Sequence, residues 1–147
     1  MEKDKVLIME ANIDDLNPQI YDYLLELLLE NGALDAWLES IIMKKSRPAI
    51  KLSVICEEKN QDKLAKMIFA ETTTIGIRMC EAERLKLNRK IVKVKTKFGE
   101  ISVKVSESDG IRTIAPEYGE CKKAALARKI PLKDVIDEAR LKAKEIL

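Results

Sequence analysis

Hydrophobic positions change their spacing several times along this chain, and each change marks an element. Residues 6–13, VLIMEANI, begin as a continuous apolar run, the signature of a central strand covered on both faces. Ile20, Tyr23, Leu24, Leu27 and Leu28 then follow helical spacing. Asn17 suits the N-cap of that helix, Pro18 its first position, and Leu16 is placed to staple onto Tyr21. Gly32 sits where a left-handed residue ends a helix. Residues 34–43, LDAWLESIIM, predict a second strand, and Pro48 interrupts the pattern because it cannot donate to a ladder. In 49–56, AIKLSVIC, Ile50, Leu52, Val54 and Cys56 alternate with Lys51 and Ser53, which predicts a half-buried strand.

Asn60 is placed to cap a second helix carrying Leu64, Met67, Ile68 and Glu71. TTTIGIR then weakens helical continuity, and 77–87 reads as extended. The order strand–helix–strand–strand–helix–strand predicts a ferredoxin-like split β-α-β core. Residues 91–106 predict a hairpin: Val92, Val94 and Thr96 alternate with lysines, the chain turns near Gly99, and Ile101, Val103 and Val105 return. Pro116 and Pro131 are each placed to open a closing helix. The expected fold class is α+β. One domain is expected over 1–147, with the ferredoxin-like core in 1–88 and a C-terminal β-hairpin and two-helix extension in 89–147.

Composition narrows the chemistry. Hydrophobic residues make up 46% of the 147, enough for a packed core. Lys+Arg of 27 against Asp+Glu of 25 leaves no strongly basic surface, which argues against non-specific nucleic-acid binding. There is no histidine, so histidine acid–base chemistry and the commonest nickel or zinc ligand are excluded. Cys56, Cys80 and Cys121 are far apart and odd in number, as in a reduced cytoplasmic protein. No signal peptide or membrane-length apolar run is present, so a cytoplasmic chain with no membrane partner is expected.

Four segments carry candidate chemistry. EANIDDLNP, 10–18, sets Asp14 and Asp15 side by side at the end of the first strand. Adjacent carboxylates suit Mg²⁺ or Mn²⁺ beside phosphate oxygens, and Asp and Asn are equally the default residues of turns and caps. Lys44, Lys45 and Arg47 in MKKSRP offer phosphate-binding cations or a solvated loop. Thr72, Thr73 and Thr74, with Gly76 and Arg78, offer hydroxyls and backbone amides at a helix–strand junction. Glu117 and Tyr118 stand at the start of a helix, whose N-terminus favours anions. No phosphate-binding glycine loop or nucleophile–histidine pair exists.

Taken together, EANIDDLNPQIYDYLLELLLENGALDAW, IIMKKSRPAIKLSVIC, FAETTTIGIR and APEYGECKKAALARKIPLKDVIDEA resemble, in order and spacing, the C-terminal domain of the LarC family. That family comprises the nickel-insertion proteins of the nickel-pincer nucleotide cofactor of lactate racemase. The resemblance implies a CTP-dependent cyclometallase that inserts Ni²⁺ into pyridinium-3,5-bisthiocarboxylic acid mononucleotide, using CTP with Mn²⁺ or Mg²⁺. It also implies that this domain binds CTP, assembles into trimers or higher oligomers, and works with an N-terminal LarC half. Because the chain starts just upstream of the first matching block, that half is expected to be encoded or cloned separately. Two departures stand out: Ala49 where glycine is expected, and Gly119 where an acid is expected.

On that resemblance, Asp14 and Asp15 are expected to hold the divalent ion, and Lys44, Lys45, Arg47 and Arg78 the phosphates. Thr72, Thr73 and Thr74 are expected to add hydroxyl or backbone contacts, and Glu117 and Tyr118 to position substrate or base. The rival expectation is a non-catalytic nucleotide-sensing or oligomerisation module on the same fold. An RNA-binding domain is disfavoured by near-neutral charge and 4% aromatic content.

Overall fold

The computed structural model describes residues 1–147. In chain order the strands and helices are β1 (Glu2–Ile13), α1 (Ile20–Glu30), β2 (Ala33–Met43), β3 (Arg47–Cys56), α2 (Gln61–Glu71), β4 (Arg78–Lys86), β5 (Asn88–Thr96), β6 (Gly99–Ser108), β7 (Ile111–Pro116), α3 (Tyr118–Arg128) and α4 (Leu132–Glu145). They divide into two compact units, Lys3–Arg84 and Leu85–Leu147 with Met1–Glu2.

In the first unit the strands are ordered β2-β3-β1-β4, with α1 and α2 as the two crossovers. This is the ferredoxin-like arrangement that the element order predicts. β1 runs antiparallel to β3, with Glu10 opposite Ser53 and Asn12 opposite Lys51; β3 runs antiparallel to β2, with Ser53 opposite Trp37 and Lys51 opposite Glu39. Strand alternation therefore sorts the sheet into two faces. Leu7, Met9, Ala11, Ile13, Leu52, Val54 and Cys56 face the helices and pack with Tyr21, Leu24, Leu28, Leu64, Ala65 and Ile68. The opposite face carries Glu10, Asn12, Trp37, Glu39, Lys51 and Ser53. β1 is thus covered by helices on one side and polar on the other.

Two asparagines act differently from expectation. α1 starts at Ile20, and the Asn17 Oδ1 accepts the Gln19 N–H at 3.1 Å, closing a turn just upstream of the helix. Asn60 stands before α2 without a side-chain cap; its amide instead donates to the Gly32 carbonyl at 3.1 Å. Gly32 has φ +104°, and an added Cβ would lie 2.6 Å from the Asn60 amide nitrogen. The conformation favours glycine, and a larger residue would also push the Asn60 amide away from the Gly32 carbonyl.

The second unit is a three-stranded antiparallel sheet, β5-β6-β7, with α3 and α4. The hairpin is as its alternation predicts, while 111–116 forms a third strand and Pro116 ends it rather than opening a helix. Pro116 pairs opposite Val103 at the end of an edge strand, a position where a missing N–H is tolerated. Val94, Ile101, Val103 and Val105 pack against Cys121, Ala125, Val135, Ala139 and Ala143. The small alanines let the helices approach the sheet closely.

Candidate functional site

The polar face of the first sheet is a chain of paired charges. The Trp37 indole N–H donates to Glu39 at 2.9 Å, and the Lys51 ammonium lies 3.0 Å from Glu39 and 3.4 Å from Glu10. Arg78, at the start of β4, donates to the Asn12 Oδ1 at 2.8 Å and approaches Glu10 at 3.4 Å. The Trp37 N–H, and then Lys51, hold the Glu39 carboxyl below the usual carboxylate range; Glu39, and to a lesser extent Glu10, raise Lys51. Glu10 and Asn12 share a strand face because they are two residues apart. That same period could have named them as partners for a distant arginine, and sequence reasoning missed them. Ser53 is the exception in this network: its hydroxyl is buried without a hydrogen-bond partner.

Beyond the end of β1 the next acids are also engaged. Asp14 Oδ2 accepts from Arg47 Nη1 at 3.1 Å, although 33 residues separate them. Asp15 accepts a hydrogen bond from the Thr73 hydroxyl. Thr72 Oγ1 donates to the Ile68 carbonyl at 2.7 Å, and Thr74 Oγ1 to the Gly76 carbonyl at 3.0 Å. These two hydroxyls shape the turn after α2, and Thr73 is the threonine aimed at the acids. Tyr21 lies near enough for Asp15 to add to the effect of burial, and together they push its phenol above the ordinary value.

Lys44 and Lys45 are exposed on the turn before β3. Lys45 has φ +60° and Ser46 φ +58°, so two consecutive non-glycine residues are left-handed. Such backbone costs on the order of 1–3 kcal/mol per residue, and it clusters at functional sites. Beside this turn is a mostly apolar concavity of about 500 Å³ lined by Ile13, Leu16, Pro18, Tyr21, Ile42 and Pro48, with Asp14 on its wall. The structure therefore brings Asp14, Asp15, Arg47, Thr73 and Arg78 into bonded pairs around the ends of β1, β3 and β4. In the second unit the Glu117 carboxylate pairs with Lys104 at 3.2 Å and its N–H donates to the Ser102 carbonyl at 2.8 Å. Tyr118 begins α3 and is exposed.

No group of three or more His, Cys, Asp or Glu is arranged to hold a metal ion by itself. Two carboxylates fit a different mode, in which Mg²⁺ or Mn²⁺ takes one or two protein oxygens and completes its shell with phosphate and water. The thiols fit neither mode: Cys56 and Cys121 are buried, which raises both above the ordinary thiol value, and Cys80 is exposed on β4. No helix is long and apolar enough to cross a membrane.

Comparison with known proteins gives these residues a context. A family model described as nickel insertion protein matches residues 1–136. A pyridinium-3,5-bisthiocarboxylic acid mononucleotide nickel insertion protein of Thermotoga petrophila is 40% identical over 146 residues, covering 99% of this chain and 37% of the relative. A putative nickel insertion protein of Dictyoglomus thermophilum is 46% identical over 136 residues, covering 92% and 35%. The chain thus spans little more than a third of the length of these relatives. Among solved structures, LarC2, described as the C-terminal domain of a cyclometallase involved in synthesis of the NPN cofactor of lactate racemase, matches in its apo form. Its TM-score is 0.92 at 37% identity, covering 97% of this chain and 99% of that one. A Methanopyrus kandleri protein at TM-score 0.61 and 20% identity shares the fold alone. On the match of the family model, the chain belongs to the nickel insertion protein family.

Proposed function

We propose that this chain is the CTP- and divalent-metal-binding part of an enzyme that inserts Ni²⁺ into pyridinium-3,5-bisthiocarboxylic acid mononucleotide. The single observation that supports this most is the pairing of Arg47 with Asp14 at one end of the sheet, beside Thr73–Asp15 and Arg78–Asn12. Each arginine already holds an oxygen acceptor at its fork, as it would hold a phosphate oxygen. Arg47 and Arg78 are assigned to the triphosphate, with Lys44 and Lys45 adding mobile charge and Thr72, Thr73 and Thr74 local donors. Asp14 and Asp15 are assigned to Mn²⁺ or Mg²⁺, which when bound offsets the charge of the phosphates. Glu117 and Tyr118 are assigned to substrate or base positioning. Ni²⁺ is the cargo, and its first ligands are assigned to the N-terminal half of a LarC-type protein, since this chain has no histidine. Self-association to a trimer or higher oligomer is part of the same proposal.

Calorimetric titration with CTP and with ATP, each with and without Mn²⁺, tests it. Metal-dependent binding that prefers CTP is the expected result. Indifference to both nucleotides would reject the proposal, and CTP binding without turnover in the presence of precursor, Ni²⁺ and the N-terminal half would leave only a sensing module.

A further inference from the structure

We propose that Lys51 is a positioning residue for Arg78: by holding the Glu10 carboxylate, it leaves the Arg78 guanidinium open to a ligand anion. The inference rests on the phosphate-binding role proposed above for Arg78. Its basis is a row of alternating charges across the polar face of the first sheet. Glu10 is shared atom by atom, with Oε1 3.4 Å from the Lys51 ammonium and Oε2 3.4 Å from Arg78 Nη2. Glu39 is shared likewise: Oε2 lies 3.0 Å from Lys51, and Oε1 accepts the Trp37 indole N–H at 2.9 Å. Strand pairing fixes the row, because Lys51 on β3 stands opposite Asn12 on β1 and opposite Glu39 on β2.

Two cations thus balance two carboxylates. Arg78 is the end of the row and its most accessible member, with its side chain 57% exposed against 23% for Lys51. A phosphate that engages Arg78 adds negative charge beside Glu10, and like charges this close oppose each other. Lys51 relieves the conflict: when Arg78 turns to the ligand, Glu10 keeps a cation at its other oxygen. Without Lys51, the two carboxylates lose the cation between them, and Arg78 becomes the one cation in contact with Glu10. A phosphate must then draw Arg78 from a carboxylate that has no second partner. Lys51 therefore acts on the ligand through Glu10 and not by touching it. A plain surface charge behaves differently, since it adds the same field at the site whether or not Glu10 is charged.

The test is a double-mutant cycle on CTP affinity, by calorimetry at saturating Mn²⁺ and one ionic strength, with thermal melts as a fold check. The proteins are the wild type, Lys51→Met, Glu10→Gln and the pair. Lys51→Met is expected to weaken CTP binding about three- to fivefold, the upper range for a partly exposed charge pair. In the Glu10→Gln background the same substitution is expected to cost less than about twofold. Lys51→Arg, which keeps the charge, is expected to bind as the wild type does. Should Lys51→Met melt early, Lys51→Gln replaces it in both backgrounds. An equal loss in both backgrounds, or no loss in either, overturns the inference while CTP binding itself stands. Arg78→Gln with unaltered CTP affinity, or no CTP binding by the wild type, overturns instead the role on which the inference rests.

Discussion

The two units of this chain differ in how far apart in sequence most of their charge partners lie. In Lys3–Arg84 most ion pairs, and the contacts around the candidate site, join residues far apart in sequence: Arg47 with Asp14, Thr73 with Asp15, Arg78 with Asn12, and Arg84 with Asp4 across 80 residues. In Leu85–Leu147 they are mostly local. Arg112 pairs with Glu107 five residues away, Arg140 with Asp137 and Lys142 with Glu145 one helical turn away, and Lys93 with Glu100 across the hairpin. Local pairs decorate elements that would form without them. Distant pairs require the tertiary fold, and they put opposite charges where a ligand with both signs of partner can displace them. Both units rest on an apolar core of their own, and the first adds a set of polar pairs drawn from distant segments of the chain.

The largest expected effect of a single substitution is on packing. Leu28→Ala in the fully buried core of the first unit should cost about 2–5 kcal/mol, read by urea denaturation. A cost near zero would mean that the helix layer does not hold the sheet. Next is Arg47→Glu, which should remove measurable CTP binding while leaving the thermal melt close to that of the wild type, because the arginine is largely exposed. Unaltered affinity would take Arg47 out of the site. A gain is expected at Ser53→Ala, since the buried hydroxyl makes no hydrogen bond; removing it should stabilise the protein by about 1 kcal/mol in the same denaturation assay. A loss there would show that the hydroxyl has a partner in solution. The smallest effect belongs to the second unit: Arg140→Ala should change stability by less than about 0.5 kcal/mol and leave nucleotide affinity unchanged. A clear loss of affinity would erase the contrast between the two units.

Much of this was legible from residue order, for identifiable reasons. The ferredoxin-like core follows from sustained periods, 3.6 through Leu24 and Leu28 and two through Leu52 and Val54, each anchored in a buried cluster. β7 was not legible, because IRTIAP is short and its proline imitates a helix start until the pairing of Val103 with Pro116 is seen. Asn60 suits a cap by residue type, yet its amide serves the Gly32 carbonyl, a contact 28 residues away that no local pattern contains. The site divides in the same way. Asp14, Asp15, Arg47 and Arg78 are visible as chemistry in separate segments. Their partners depend on strand order, so Glu10, Asn12, Lys51 and Glu39 emerged as a network only once β3 was placed between β1 and β2. The left-handed pair Lys45–Ser46 carried no signal at all, since neither residue type advertises that conformation.

The central claim is that one nucleotide and one divalent ion meet at the ends of β1, β3 and β4. A crystal structure with CTP and Mn²⁺, located by the anomalous scattering of manganese, tests it most directly. The expected result is a manganese peak beside Asp14 and Asp15, with phosphate density against Arg47 and Arg78. Nucleotide and manganese bound elsewhere, with the Arg47–Asp14 pair left intact, would contradict it.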